Sequence, residues 1–161
     1  MIAGIMSDSH DNLTRIAGAL EIFRARNCGV LIHLGDFVAP FSLKAMLRFQ
    51  GGPIHAVYGN NDGERAGLAK LLATLKAGPV IVEIEGRKIG MAHDRHQLPQ
   101  GDQGACDAIL FGHSHSAELT PASPGNPLIL NPGETCGWLT GKPTCAVLDL
   151  ETMEAEIVEI G

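Results

Sequence analysis

The chain has 161 residues, of which 45% are hydrophobic and 19% are charged, and its formal net charge is -6. This length predicts one domain, residues 1–161, with enough apolar material for a core, and the composition excludes disordered, coiled-coil and collagen-like proteins. Because the chain is acidic, we expect neither nucleic acid nor an acidic membrane surface to be its partner.

Apolar runs alternate with helical patterns through the first half of the chain. Strands are predicted at residues 2–6, 30–33 and 54–57. The first helix begins after Asp11 or Asn12, either of which can cap it, and its apolar face runs from residue 13 to residue 23. The second helix is opened by Pro40 and broken by the glycines at residues 51–52, and the third is predicted at residues 64–75.

The second half is predicted to be mostly strand. Residues 80–84 and 88–92 read as a hairpin, because a Glu-Gly-Arg turn joins them. Further strands are predicted at residues 108–111, 128–130, 145–150 and 154–160. A long helix is excluded at residues 97–107, where Pro99, Gly101 and Gly104 interrupt the chain.

Cysteine usage and hydropathy bear on the compartment. The four cysteines are far apart and form no C-x-x-C pair: Cys28, Cys106, Cys136 and Cys145. This spacing predicts a reduced, cytoplasmic protein. No stretch reaches the roughly 18 consecutive apolar residues that a membrane span needs. The first apolar run has no basic segment ahead of it, so we expect a strand there and not a signal peptide.

Five clusters of Asp, Asn and His follow predicted strands. They are Asp8-Ser9-His10, Gly35-Asp36, Gly59-Asn60-Asn61-Asp62, His93-Asp94 and Gly112-His113-Ser114-His115. Each cluster alone is also typical of an ordinary turn. In open α/β sheets, however, sites gather at the carboxyl ends of the strands, so these five clusters are expected to converge. Imidazoles and carboxylates are ligands of divalent transition metals, and the pattern therefore predicts a metal site.

The order of these motifs, D-x-H, G-D, G-N-x-D, H and G-H-x-H, resembles that of the calcineurin-like metallophosphoesterase superfamily. With the Asn-Pro-Gly-Glu sequence at residues 131–134, the chain is similar to the small bacterial and archaeal phosphodiesterase branch, and the likeness covers essentially the whole chain. The resemblance implies an α/β fold of the αββα type, a two-sheet sandwich of mixed strand direction with helices outside.

The resemblance also implies two divalent metal ions. The first would be held by Asp8, His10, Asp36 and His115, and the second by Asp36, Asn60, His93 and His113. Asp36 would then be shared by both ions, and the nucleophile would be a hydroxide that bridges them. A mixed shell of imidazole and carboxylate suits Mn, Fe, Ni or Zn better than Ca or Mg.

The third motif departs from the wider family at Asn61. Many members have His there, where it meets the phosphate and can protonate a leaving alkoxide. An amide donates a hydrogen bond but delivers no proton. We therefore expect Asn61 to contact substrate and the enzyme to favour activated diesters. Asp62 is expected to orient the loop or a ligand and not to act as an acid.

The fourth motif departs at Asp94 and Arg95. Arg95 has the planar fork to grip a substrate phosphate, and it is equally a solvated charge or a partner for Asp94. Asp94 stands where it could crowd the second metal. Elsewhere, His33 is expected to be a packed or supporting histidine, and residues 131–134 a turn beside the site. Trp138 and Leu139 are either an exposed dimer contact or ordinary packing, which leaves a homo-oligomer open.

The function predicted from the resemblance is hydrolysis of a small phosphodiester through a dinuclear metal centre. Two alternatives remain. A protein-binding scaffold with the same fold tends to have eroded metal ligands, whereas all seven positions here hold ligand-type residues. A phosphomonoesterase is disfavoured by the missing His at position 61.

Overall fold

The computed structural model describes residues 1–98 and 105–161. The strands within these ranges are β1 (Ile2–Met6), β2 (Val30–His33), β3 (Ile54–Val57), β4 (Leu75–Lys76), β5 (Val80–Ile84), β6 (Arg87–Met91), β7 (Ala108–Leu110), β8 (Glu118–Thr120), β9 (Leu128–Asn131), β10 (Thr144–Asp149) and β11 (Ala155–Glu159). The α-helices are α1 (Leu13–Ala25), α2 (Pro40–Met46) and α3 (Arg65–Leu71), and a short 3-10 helix spans Arg95–Gln97.

The strands form two mixed sheets. The first has the order β11-β10-β1-β2-β3-β4 and the second the order β5-β6-β7-β9-β8. In the first sheet β1 lies at the centre, where Ile5 is paired in parallel with Ile32 of β2 and antiparallel with Ala146 of β10. Parallel pairing of β1, β2 and β3 sends their carboxyl ends to one edge, and the parallel pair β6 and β7 does the same in the second sheet.

The main core lies between the two sheets. Ile5 and Ile32 of the first sheet belong to one buried cluster with Met91, Leu110 and Leu130 of the second. A second cluster joins the outer face of the first sheet to all three α-helices through side chains such as Phe23, Leu43 and Leu68. These layers confirm the predicted two-sheet α/β sandwich.

A local sequence signal explains where α1 begins. Of the two residues predicted to cap α1, Asn12 is the cap, and its side chain accepts a hydrogen bond from the Arg15 amide.

On the outer face of the second sheet, Leu98 packs with Ile109 and Phe111 in a smaller apolar cluster.

The third helix is shorter than predicted. We expected residues 64–75, but α3 ends at Leu71 and Leu75 lies in β4, where it pairs with Ala56. Beside it, the Thr74 hydroxyl donates to the Ile54 carbonyl. The leucine spacing was consistent with a helix, but burial of Leu75 against the edge of the sheet decides its conformation.

Strand β8 is absent from the sequence prediction because three residues give too short a pattern of alternation. Each strand that was predicted matches a strand of the structure to within one residue at both ends. The prediction for residues 97–107 lies partly outside the described residues, since it rests on Pro99, Gly101 and Gly104. Over the ranges that the structure describes, helices long and apolar enough to cross a membrane are not found.

Gly4 of β1 offers a test of the packing between the first sheet and α1. A Cβ at this position would lie 2.6–2.9 Å from three ring atoms of the fully buried Phe23. We expect Gly4→Ala to lower the free energy of unfolding by about 1–3 kcal/mol, because the ring must move within a packed core. Gly63→Ala is the matched control, since an added Cβ there meets nothing within 4 Å. Equal denaturant midpoints for the two variants would contradict this account.

Candidate metal centre

The predicted ligands lie at the carboxyl ends of strands from both sheets. Asp8 and His10 follow β1, Asp36 follows β2 and Asn60 follows β3. The second sheet contributes His93 after β6, and His113 and His115 after β7. The structure brings all seven side chains to one edge of the sandwich, where they form two adjoining groups.

Left-handed backbone directs most of these side chains. Five of the seven candidate ligands have a positive φ: Asp8 (51°), His10 (36°), Asp36 (62°), His113 (68°) and His115 (61°). This conformation is uncommon for residues other than glycine and costs on the order of 1–3 kcal/mol each. Such clustering is typical of functional sites, and nothing in the residue pattern alone had indicated it.

The first group contains Asp8, His10 and His115, whose potential ligand atoms lie within 4.8 Å of one another. The Nε2 atoms of His115 and His10 are 3.4 and 3.9 Å from Asp8 Oδ1. The two imidazole rings are stacked with their centroids 5.2 Å apart. One carboxylate oxygen therefore faces two imidazole nitrogens, which is a suitable donor set for a divalent ion.

The second group is centred on the side-chain oxygen of Asn60. Asn60 Oδ1 lies 2.9 Å from His93 Nε2 and 3.0 Å from His113 Nδ1. His93 Nδ1 donates to the Leu34 carbonyl at 2.8 Å, which fixes the ring and directs Nε2 into the group. The result is a second set of two imidazole nitrogens around one oxygen.

Asp36 lies between the two groups. Its Oδ2 atom is 3.5 Å from Nε2 of His10 and 3.4 Å from Nε2 of His93. Burial opposes ionisation of this carboxyl, but hydrogen bonds from His93 and Asn61 outweigh it and hold the Asp36 pKa well below its usual range. Asp36 is therefore an anion within reach of histidines from both groups.

Asn61 is directed at Asp36 in the structure. Its backbone amide donates to Asp36 Oδ1 at 2.8 Å, and its side-chain amide donates to Oδ2 at 2.7 Å. Both carboxylate oxygens of Asp36 are thereby held by a single residue. The sequence predicts that Asn61 contacts the substrate, and the structure shows in addition that it hydrogen-bonds the carboxylate lying between the two groups.

Unpaired buried atoms test whether a cation fits this site. Asp8 Oδ1 and His10 Nε2 are buried without a hydrogen-bond partner among residues 1–98 and 105–161. Burial raises the pKa of Asp8, although His93 and His115 favour its charged form. Buried polar atoms rarely remain unpaired in native proteins, and a divalent ion would satisfy both of these. The donor set therefore fits a metal.

Glu134 is a supporting residue whose role the sequence did not indicate. Its Oε2 accepts from His115 Nδ1 at 2.7 Å, while the backbone amides of Leu139 and Thr140 also donate to this carboxylate. Burial opposes ionisation, but these hydrogen bonds lower the Glu134 pKa to about 2. A carboxylate on the outer nitrogen of a histidine fixes its tautomer and makes it a stronger metal ligand. We had expected residues 131–134 only to shape a turn.

His33 and Asp62 support the loops, as the sequence predicted. Burial lowers the His33 pKa to about 3, so the ring is neutral. Its Nδ1 accepts from the Gly35 amide, which leaves the proton on Nε2 to face the Ser9 hydroxyl at 3.1 Å. Asp62 accepts from the backbone amides of Asp36, Val38 and Gly59. Neither side chain belongs to either group of candidate metal ligands.

The two residues that depart from the fourth motif lie at the rim of the site. Arg95 donates to Glu118 at 2.9 Å and lies over the Phe111 ring, so its partner is not Asp94. Asp94 Oδ2 is 3.9 Å from His113 Nε2, whereas His113 meets Asn60 through Nδ1. Asp94 therefore faces the His113 nitrogen that is not directed at Asn60.

Comparisons with known proteins bear on the family and the fold of this chain. A family model described as the calcineurin-like phosphoesterase superfamily domain matches residues 1–153. Phosphodiesterase MJ0936 of Methanocaldococcus jannaschii is 40% identical over an alignment of 162 positions that covers 96% of this chain and 96% of the relative. A solved structure of an archaeal phosphodiesterase has a TM-score of 0.87 at 36% identity over 99% of both chains. The E. coli phosphoesterase Yfce has a TM-score of 0.73 at 20% identity over 100% of both chains, which supports the fold alone.

Glu134→Gln tests the support of His115. The amide is nearly the same size but carries no charge, so we expect affinity for Mn²⁺ to fall by about 10–100-fold while the fold is retained. Isothermal titration with Mn²⁺ measures the change. Glu118→Gln is the matched control, because Glu118 pairs with Arg95 at the rim. Wild-type affinity in the Glu134 variant would exclude the supporting role.

Proposed function

Because the chain belongs to the calcineurin-like phosphoesterase superfamily, we propose that it hydrolyses small phosphodiesters at a centre of two divalent metal ions. The chain is thus a phosphoesterase, and the proposal concerns the number of ions and the substrate. The observation that carries it is the position of Asp36, whose Oδ2 lies 3.4–3.5 Å from histidines of two separate donor groups. A carboxylate placed between two divalent ions would offset part of their mutual repulsion.

The residues divide naturally between two ions. Asp8, His10, Asp36 and His115 would hold the first, and Asp36, Asn60, His93 and His113 the second. When bound, a pair of divalent ions neutralises phosphate charge and lowers the pKa of water toward 7. The imidazole-rich donor set suits Mn, Fe, Ni or Zn.

The protein's own side chains position the reacting groups. Asn61 holds both oxygens of Asp36, and so fixes the carboxylate that joins the two groups. His113 is tied to the first group through its backbone amide, which donates to Asp8 Oδ2 at 3.0 Å. Arg95 would contact a substrate phosphate only by leaving Glu118.

The choice of a diester rests on the 40% identical phosphodiesterase, and the chemistry of Asn61 adds a requirement on the leaving group. An amide supplies no proton to a departing alkoxide, so the favoured substrate has a leaving group that departs without an acid. A diester with an activated arm meets this condition.

Turnover of matched nitrophenyl esters tests the proposal. With added Mn²⁺ or Ni²⁺, we expect faster hydrolysis of bis(p-nitrophenyl) phosphate than of p-nitrophenyl phosphate, and little of either after chelation. Asp36→Ala should lose both the metals and the activity, because two cations would repel each other without the shared carboxylate. Elemental analysis and circular dichroism establish metal content and folding.

Asp149→Ala serves as the control, since Asp149 lies on β10 and accepts a hydrogen bond from the Glu151 amide. A monoester preference would favour the phosphomonoesterase. Absence of turnover in metal-loaded protein would favour the protein-binding scaffold. Normal metal content in folded Asp36→Ala would exclude the shared ligand.

Asn61→His tests the missing acid. Imidazole has a pKa of about 6.5 and can protonate a leaving oxygen, an effect typically of about 10²–10⁴-fold. We expect a gain for diesters with basic alkoxide leaving groups relative to nitrophenyl esters, because loss of the side-chain hydrogen bond to Asp36 affects both kinds of ester alike. The measurement is the slope of log rate against leaving-group pKa in both proteins, with metal content checked. Identical slopes would show that position 61 does not face the leaving group.

A further inference from the structure

Trp138 is the one tryptophan of the chain and stands beside the candidate metal centre. Its indole Nε1 donates to the backbone carbonyl of His10 at 3.3 Å, so one edge of the ring is fixed next to a candidate ligand. The residue is nevertheless 64% exposed. A large aromatic surface therefore remains open to solvent at the rim of the site.

Hydrogen bonds to a buried side chain hold the loop that carries Trp138. The buried carboxylate of Glu134 accepts from the backbone amide of Leu139 at 3.0 Å and from the Thr140 hydroxyl at 2.7 Å. Gly137 has a φ of +69°, and a Cβ there would lie 3.0 Å from Pro143. Hydrogen bonds of Leu139 and Thr140 anchor this backbone, and the indole hydrogen bond to the His10 carbonyl positions the ring.

The chemistry of the loop favours stacking over charge recognition. Residues 134–141 read Glu-Thr-Cys-Gly-Trp-Leu-Thr-Gly and contain no Lys or Arg. An exposed aromatic face binds nucleobases and other flat rings by stacking, with little dependence on which base is presented. The Glu134 carboxylate also joins this loop to His115 through Nδ1, so the ring and the candidate ligands share one support.

We propose that Trp138 is a specificity-determining residue that stacks on an aromatic ring, a nucleobase or an aryl group, carried by one arm of the phosphodiester. The inference rests on the proposed function, because it places the phosphate at the metal centre and the ring over the rim. It assigns the substrate to the class of nucleotide-like or aryl phosphodiesters. The exposed ring is thereby given a role other than a dimer contact.

Product-like inhibitors isolate the stacking from the phosphate contact. Thymidine 5′-monophosphate and 2-deoxyribose 5-phosphate share a phosphate and a sugar, and only the first has a base. Using bis(p-nitrophenyl) phosphate as the reporter substrate, we expect Trp138→Ala to raise the inhibition constant of thymidine 5′-monophosphate about 10-fold. The constant for 2-deoxyribose 5-phosphate should be unchanged, and Trp138→Phe should restore most of the loss.

Leu139→Ala is the matched control, since Leu139 is 75% exposed on the same loop. Equal loss for both inhibitors, or a Phe variant no better than Ala, would overturn the proposal. A dimer that becomes a monomer on Trp138→Ala, with both inhibition constants moved alike, would show an interface instead.

Fluorescence provides a readout without turnover. Since Trp138 is the sole tryptophan, its emission in metal-loaded protein reports this ring alone. Thymidine 5′-monophosphate should quench it, and 2-deoxyribose 5-phosphate should not. Equal responses to the two, or no response to either, would contradict stacking. If no diester is hydrolysed but selective quenching is seen, the proposed reaction fails while the stacking site stands.

Discussion

Burial of four carboxylates at one edge of the sandwich is the constraint on which the rest of the site depends. Asp8, Asp36, Asp62 and Glu134 are each 3% exposed or less. A buried charge is costly unless it is paired and hydrogen-bonded. Asp62 and Glu134 meet this requirement with backbone amides, and in doing so they fix the loops around them. Asp8 and Asp36 also accept from backbone amides, those of His113 and Asn61, but in addition they face histidines across the site.

The four carboxylates thus divide into two that support the loops, Asp62 and Glu134, and two that are candidate metal ligands, Asp8 and Asp36. Asp62 and Glu134 determine where the loops lie. Asp8 Oδ1 and Asp36 Oδ2 face His10 and His93, and each has a lone pair left for a cation. Left-handed backbone at five candidate ligands is maintained because the surrounding amides and the packed sheets leave the loops little freedom. Strain at these positions is thus a consequence of directing short polar side chains inward from strand ends.

Much of this arrangement could be predicted from the sequence, since apolar runs identified nearly every strand and the polar clusters at their ends identified the site. The rest depends on tertiary contacts. Leu75 has helical spacing to its neighbours, yet the edge of the sheet determines its conformation. Glu134 looked like part of a turn, because sequence spacing does not show that residue 134 meets His115. The hold of Asn61 on Asp36 could not be predicted either, since it depends on how two loops approach each other.

The division of the candidate ligands between two sheets has a consequence for metal preference. Asp36 and Asn60 extend from the first sheet, whereas His93 and His113 extend from the second. The separation of donors from opposite sheets is therefore determined by the side chains packed between them, among which are Ile32 and Leu110. Metal–ligand distances are restricted to within about 0.2 Å. If these candidate ligands hold an ion, the radius that they accept would be set in the hydrophobic interior, so we expect a methyl group gained or lost in that layer to change metal selection without touching a single ligand.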